Sequence, residues 1–71
     1  MSMRFEGPNG YRNAFNYAVK LARELNRETG LYHQNEFGYD GYNVCHLPKP
    51  ENRYGFELRC QIVKPDEPLM D

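Results

Sequence analysis

Two histidines and two cysteines, His33, His46, Cys45 and Cys60, are the side chains whose types could ligate a metal or carry nucleophilic chemistry. Zinc accepts this mixture of imidazole and thiolate. The spacing, however, lacks any C-x-x-C or H-x-x-x-H knuckle, and Cys45 and His46 are consecutive. Consecutive side chains on a strand point to opposite faces, so these two cannot share an ion there. The same separation defeats a Cys–His nucleophile pair, which needs the base within hydrogen-bond reach of the thiol. Glu36 and Glu57 could face outward on neighbouring strands, but nothing near them marks an acid–base pair. Phosphate loops, nucleophile elbows and H-E-x-x-H runs are missing. A short chain also leaves little room for a reaction pocket of about 300–1,000 Å³. The expectation is therefore no catalytic residue, no metal site and no cofactor, with Cys60 as a core thiol and the histidines as polar groups on a sheet.

Surface contact is the chemistry that remains, and two surfaces compete. Arg12, Asn16, Lys20, Arg23 and Arg27 fall on one side of a helical wheel, with Asn13 at its edge and Glu24 at its border. Arg and Asn are the side chains that meet phosphates and base edges, so this stripe is the candidate nucleic-acid surface. The plainer reading is an ordinary solvated helix face, whose positive end suits the helix dipole. The second surface is aromatic. Tyr32, Tyr39, Tyr42, Tyr54 and Phe56 crowd into the later half of the chain. One helix is about 10–12 Å wide and cannot cover them all. Exposed tyrosines beside arginine resemble the residues that dominate protein interfaces, which marks Tyr54, Arg59, Tyr32 and Arg53 as the candidate protein-binding set. The plainer reading places those rings at the core margin with wet hydroxyls.

The elements that must position these residues follow from periodicity. Tyr11, Ala14, Phe15, Ala18, Leu21, Ala22 and Leu25 recur at helical spacing, which predicts an amphipathic helix over 10–29. Asn9 is its expected N-cap and Gly30 its left-handed stop. Tyr39-Asp40-Gly41-Tyr42 reads as a two-residue hairpin turn between strands 31–39 and 42–47. That turn pairs Tyr39 with Tyr42 and Phe37 with Val44. It puts Asn35, Phe37, Tyr39, Tyr42, Val44 and His46 on the inner face, and Cys45 on the outer. Pro48 and Pro50 end the second strand. Phe56, Leu58, Cys60 and Ile62 then alternate with Glu57, Arg59, Gln61 and Val63, the pattern of a third strand with its first set inward. With Cys45 outward and Cys60 inward, no disulfide can join them. The predicted fold is α+β, a single domain over 1–71. One amphipathic helix packs on a three-stranded antiparallel meander over 31–63 (α-β-β-β), between a loose extension over 1–9 and a flexible tail over 64–71.

Composition sets the outer bounds. The chain has 71 residues, enough for one core, and a domain this small hides only about 60% of its unfolded surface. Nine Lys and Arg against ten Asp and Glu leave a net charge of −1, which argues against a general polyanion binder. Six Tyr and four Phe with no Trp supply much area per residue. Two cysteines are too few for a disulfide framework, the first seven residues lack the apolar core expected of a signal peptide, and no apolar run of about 20 residues occurs. A cytoplasmic protein with reduced thiols is expected. The leading expectation is a small non-catalytic protein-binding modulator, of the accessory or regulatory kind that phages also encode. The alternatives are a nucleic-acid binder and a structural or assembly subunit that forms a homodimer by strand pairing.

Overall fold

The computed structural model describes residues 3–36, 38–47 and 60–70. Its elements are β1 (Met3–Glu6), α1 (Gly10–Leu25), β2 (Thr29–Glu36), β3 (Tyr39–His46) and β4 (Gln61–Val63). The strands form one antiparallel sheet in the order β1-β3-β2-β4, and α1 packs on one face of it. The α+β class with a single helix on an antiparallel sheet is thus as expected. The sheet has a fourth strand, and its order is not that of a meander.

Helix α1 forms where the periodicity demands it. Ala14, Phe15, Ala18, Val19 and Ala22 are buried along one stripe, a spacing that keeps them on one side of a 3.6-residue turn. Three alanines in that stripe let the helix lie close to the sheet. Asn9 does stand at the N-cap, but its side chain makes no capping bond; its carbonyl accepts from Asn13 N–H at 2.9 Å instead. The helix stops at Leu25, short of the expected end at 29. Asn26 takes the left-handed conformation at φ 55°, which Asn tolerates better than most residues, and Arg27 N–H donates to Ala22 C=O at 3.1 Å. Gly30 is therefore free to join β2. Thr29 is pinned there too: its buried hydroxyl donates to Ala18 C=O at 2.9 Å.

The hairpin turns earlier than Asp40-Gly41. Glu36 pairs with Tyr39, so residues 37 and 38 make the connection. Gly38 supplies a φ of +78°, a conformation glycine adopts without steric cost. In the expected register Leu31 would have faced Pro50, which has no N–H to donate. In the observed one Leu31 faces Val44 and His33 faces Tyr42, so two apolar side chains meet under the helix. The two registers differ by an even number of residues, and only an odd slip exchanges the faces of a sheet. Tyr42, Val44 and His46 consequently keep the helix-facing side assigned to them.

Both ends of the sequence depart from the expected loose segments. Met3–Glu6 pairs with Val44 to Gly41 as an edge strand, and Phe5 packs against the core. Four residues are too few to display a strand period. At the other end, β4 pairs with β2 and not with β3. Val63 is buried beneath the helix opposite Thr29, while Ile62 lies opposite Gly30 on the far face. The expected inward assignment of Cys60 and Ile62 is thereby reversed. The described strand has only three residues, and it is Val63, of the set expected to face outward, that fills the core. Phe56 and Leu58 themselves lie outside the described residues.

The segment expected to be a flexible tail is hydrogen-bonded to α1. Asn16 donates through Nδ2 to Met70 C=O at 2.9 Å and accepts from Met70 N–H at 2.7 Å. Arg23 donates to Pro65 C=O and to Glu67 C=O, each at 3.0 Å. Among the described residues no helix is long and apolar enough to cross a membrane.

Candidate interaction surface

A file of rings runs from the core to the surface on the helix side of the sheet. Phe15, buried, stacks on Tyr11 with centroids 6.2 Å apart. Tyr11 meets Tyr42 edge-on at 5.3 Å, and Tyr42 stacks on His33 at 4.7 Å. Tyr11 is also held from the side, since its hydroxyl donates to Gln61 Oε1 at 2.9 Å. Each step follows from the fold. Tyr11 and Phe15 are four apart on α1, so they share a face, and His33 and Tyr42 are direct cross-strand partners. Edge-on and offset ring pairs of this kind contribute about 0.5–1.5 kcal/mol beyond their buried area.

The file ends in an exposed pair. His33 Nε2 is hydrogen-bonded to Asp40 Oδ1, and their side chains are 45% and 69% exposed. Asp40 lies opposite Asn35, diagonal to His33 on the same face. At such exposure an ion pair stabilises a fold by about 0–1 kcal/mol, so its main effect is to hold two polar groups in one pose at the end of a braced aromatic row. Among the described residues β1 pairs with β3 only as far as Gly41, and β4 pairs with β2 only as far as Leu31. Among those described residues, Asn35–Glu36 of β2 and Tyr39–Asp40 of β3 pair only with each other, as a two-stranded ribbon.

The expected site residues are distributed differently. Of the protein-binding set, Tyr32 is half-buried on the face away from the helix, opposite Asn43; Arg53, Tyr54 and Arg59 lie outside the described residues. Of the basic stripe, Arg12, Lys20 and Arg23 are exposed on α1, and Asn16 is half-buried there. Asn16 and Arg23 bind the C-terminal segment, as described above. Arg27 lies past the end of the helix and donates to Leu47 C=O. Tyr11 and Asp40 were missed from sequence as site residues, and Tyr42 and His33, each weighed in another role, were not expected to meet. Gly38 was the available signal, since a turn placed there brings His33 beside Tyr42.

The two thiols were expected on opposite faces but share one. Cys45 pairs with Gly30 on the side away from the helix, and Cys60 hydrogen-bonds to it there. Burial raises the Cys45 thiol above its ordinary 9.0, with the bond from Cys60 opposing the shift. A raised acid binds its proton more tightly in the folded state, so this contribution is complete below pH 9.0 and is lost as pH rises through the folded value. Stability measured by urea titration is expected to fall above pH 9 in the native protein. The fall should be smaller in Cys45→Ser, and identical pH profiles for the two would contradict the assignment. His33 and His46 both lie on the helix side, so neither joins the thiols. Comparison with protein-family models, curated proteins and solved structures finds no match for this chain.

Proposed function

We propose that this chain is a small non-catalytic protein-binding module that presents the end of the β2–β3 ribbon to a partner protein. The observation that supports this most directly is the braced ring file Phe15–Tyr11–Tyr42–His33, ending in the exposed His33–Asp40 pair. Interfaces are dominated by a few aromatic anchors with polar groups around them. Rigid anchors lose little conformational freedom on binding, which leaves more of the contact energy as affinity. The contrast with the basic stripe also favours the reading. Arg23 and Arg27 direct their guanidinium donors to carbonyls of their own chain, and the net charge of −1 adds no general attraction for polyanions.

Affinity capture from the native host lysate, with and without nuclease, tests the proposal. The His33→Ala, Asp40→Ala double variant is expected to retain its fold and to bind the captured protein about 30-fold more weakly, the loss of a hot spot of roughly 2 kcal/mol. An Arg12→Ala, Lys20→Ala variant is expected to capture normally. Capture unaffected by the first variant, or abolished by nuclease and by the second, rejects this surface. Binding that depends on nuclease would instead support the helix face, with a steep loss of affinity as salt rises.

A further inference from the structure

Helix α1 carries the C-terminal segment along one side as a strap. Asn16 and Arg23 are seven residues apart, so they share a side of the helix and stand about 10 Å apart along it. Arg23 donates through Nε to Pro65 C=O and through Nη2 to Glu67 C=O. Asn16 spends its amide on Met70, donating to the C=O and accepting from the N–H. Residues 65–70 therefore run antiparallel to α1. A turn aims them there, since Glu67 N–H donates to Lys64 C=O at 3.3 Å and Glu67 Oε2 accepts from Lys64 N–H at 2.7 Å. The strap docks through main-chain groups and buries little apolar surface, for Leu69 and Met70 stay 41% and 42% exposed. Hydrogen bonds at exposed positions replace bonds to water and add little net stability each, so the contact is a detachable one.

The strap fills a hydrogen-bonding pattern that nucleic acid also satisfies. The Nε–Nη2 edge of arginine is a fork that grips two oxygens of one phosphate, and here two neutral carbonyls fill it. A phosphate is a charged acceptor, and charge-assisted bonds are roughly twice as strong. Asn16 offers one donor and one acceptor, which Met70 meets with its C=O and N–H. The major-groove edge of adenine presents the same two groups, an acceptor at N7 and a donor at N6, and asparagine reads them bidentately. Lys20 is exposed one turn from Asn16 and one from Arg23. The charge of the segment completes the pattern. Residues 65–71 hold three acids and no base, which leaves nine basic side chains against seven acidic ones in the rest of the chain. The net charge that disfavours polyanions thus belongs to the chain with its strap closed.

We propose that residues 64–70 are an autoinhibitory strap, and that the face beneath it, Asn16, Lys20 and Arg23 of α1, binds double-stranded DNA when the strap is released. Closed, the strap satisfies Asn16 and Arg23 with its own main chain and brings Asp66 and Glu67 to the basic stripe. Open, Lys20 and Arg23 meet phosphates while Asn16 meets an adenine edge, in a major groove wide enough for a helix. Strap and DNA compete for the same donors, so each weakens the hold of the other by the same factor. This activity is separate from the ribbon surface proposed above and uses none of its residues.

Mobility shift of the full chain on two duplexes, one of A·T pairs and one of G·C pairs, tests the strap. A Glu67→Pro, Met70→Pro double variant opens it without touching α1. Proline at 67 removes the N–H that closes the turn and drives Asp66 from the helical region, and proline at 70 removes the N–H that Asn16 accepts. The opened variant is expected to bind at least about tenfold more tightly than wild type. It should favour the A·T duplex at least about fivefold, and lose about tenfold in affinity between about 50 and 200 mM salt, the slope of two phosphate contacts. Adding Lys20→Ala and Arg23→Ala should abolish the shift. Glu67→Gln loses the same charge but keeps the turn, and should behave as wild type. Amide exchange at Met70 supplies a readout that no variant confounds, because saturating A·T duplex should speed it in the wild-type chain. A Met70 amide indifferent to duplex, equal affinity of wild type and opened variant, equal affinity for the two duplexes, or binding to phosphatidylserine vesicles but not to DNA would each overturn the proposal.

Discussion

Replacing Leu31 by Ala is expected to destabilise the fold by about 2–5 kcal/mol, the range for truncating a buried leucine. Leu31 is 2% exposed and lies where the layers cross. It pairs with Val44 on one side and Gln61 on the other, and it joins the cluster of Ala14, Phe15, Ala18, Val19, Val44 and Val63. Neither neighbouring strand can collapse into the space without disturbing its pairing with β2. At roughly 0.05–0.15 kcal/mol per residue, a domain of this length has about 4–11 kcal/mol to lose. Urea titration reads the effect as a lower midpoint at similar slope. Leu25→Ala is the matched control, because Leu25 is exposed and should stay within about 0.5 kcal/mol of wild type. Equal midpoints for the two variants would refute the core position of Leu31.

Gly30→Val opposes two effects of similar size, and the contact distance decides the sign. Strand propensity favours valine by up to about 1 kcal/mol, and loss of glycine flexibility adds about 0.5–1 kcal/mol in the same direction. Against this, the first added carbon would lie 2.9 Å from Leu47 Cδ2 and 3.3 Å from Cys45 Sγ. Gly30 is itself buried, and valine adds two further methyl groups at the same place. Overpacking of a well-filled site costs about 1–3 kcal/mol, occasionally more. Steric crowding should therefore win narrowly, with a net loss of up to about 1 kcal/mol. Displacement of Cys45 should also speed its reaction with a disulfide reagent. A variant more stable than wild type, with thiol reactivity unchanged, would show that the space beside Gly30 is not closed by Leu47 and Cys45.

Some features of this protein were legible residue by residue. The helix was readable because Ala14, Phe15, Ala18 and Ala22 repeat at its own period. The inner face of β3 was readable because Tyr42 and Val44 alternate, and it survived a wrong turn because the two registers differ by an even step. The edge strand β1 was not readable, since four residues cannot show a period. The order of the strands was also hidden, because nothing local distinguishes β4 beside β2 from β4 beside β3.

The candidate sites belong to that second group. His33, Asp40 and Tyr42 form one surface only because residues 37 and 38 make the turn. Cys45 and Cys60 share the outer face only because β4 turns Val63, and not Ile62, toward the helix. Local periodicity and turn chemistry depend on neighbours in the chain, so the amino-acid order by itself specified a helix, the alternating faces of β3 and an α+β class. Which strand lies beside which depends on how the whole apolar surface is best buried. That is a property of the assembled sheet, and it alone decided the ring file, the exposed histidine–aspartate pair and the paired thiols.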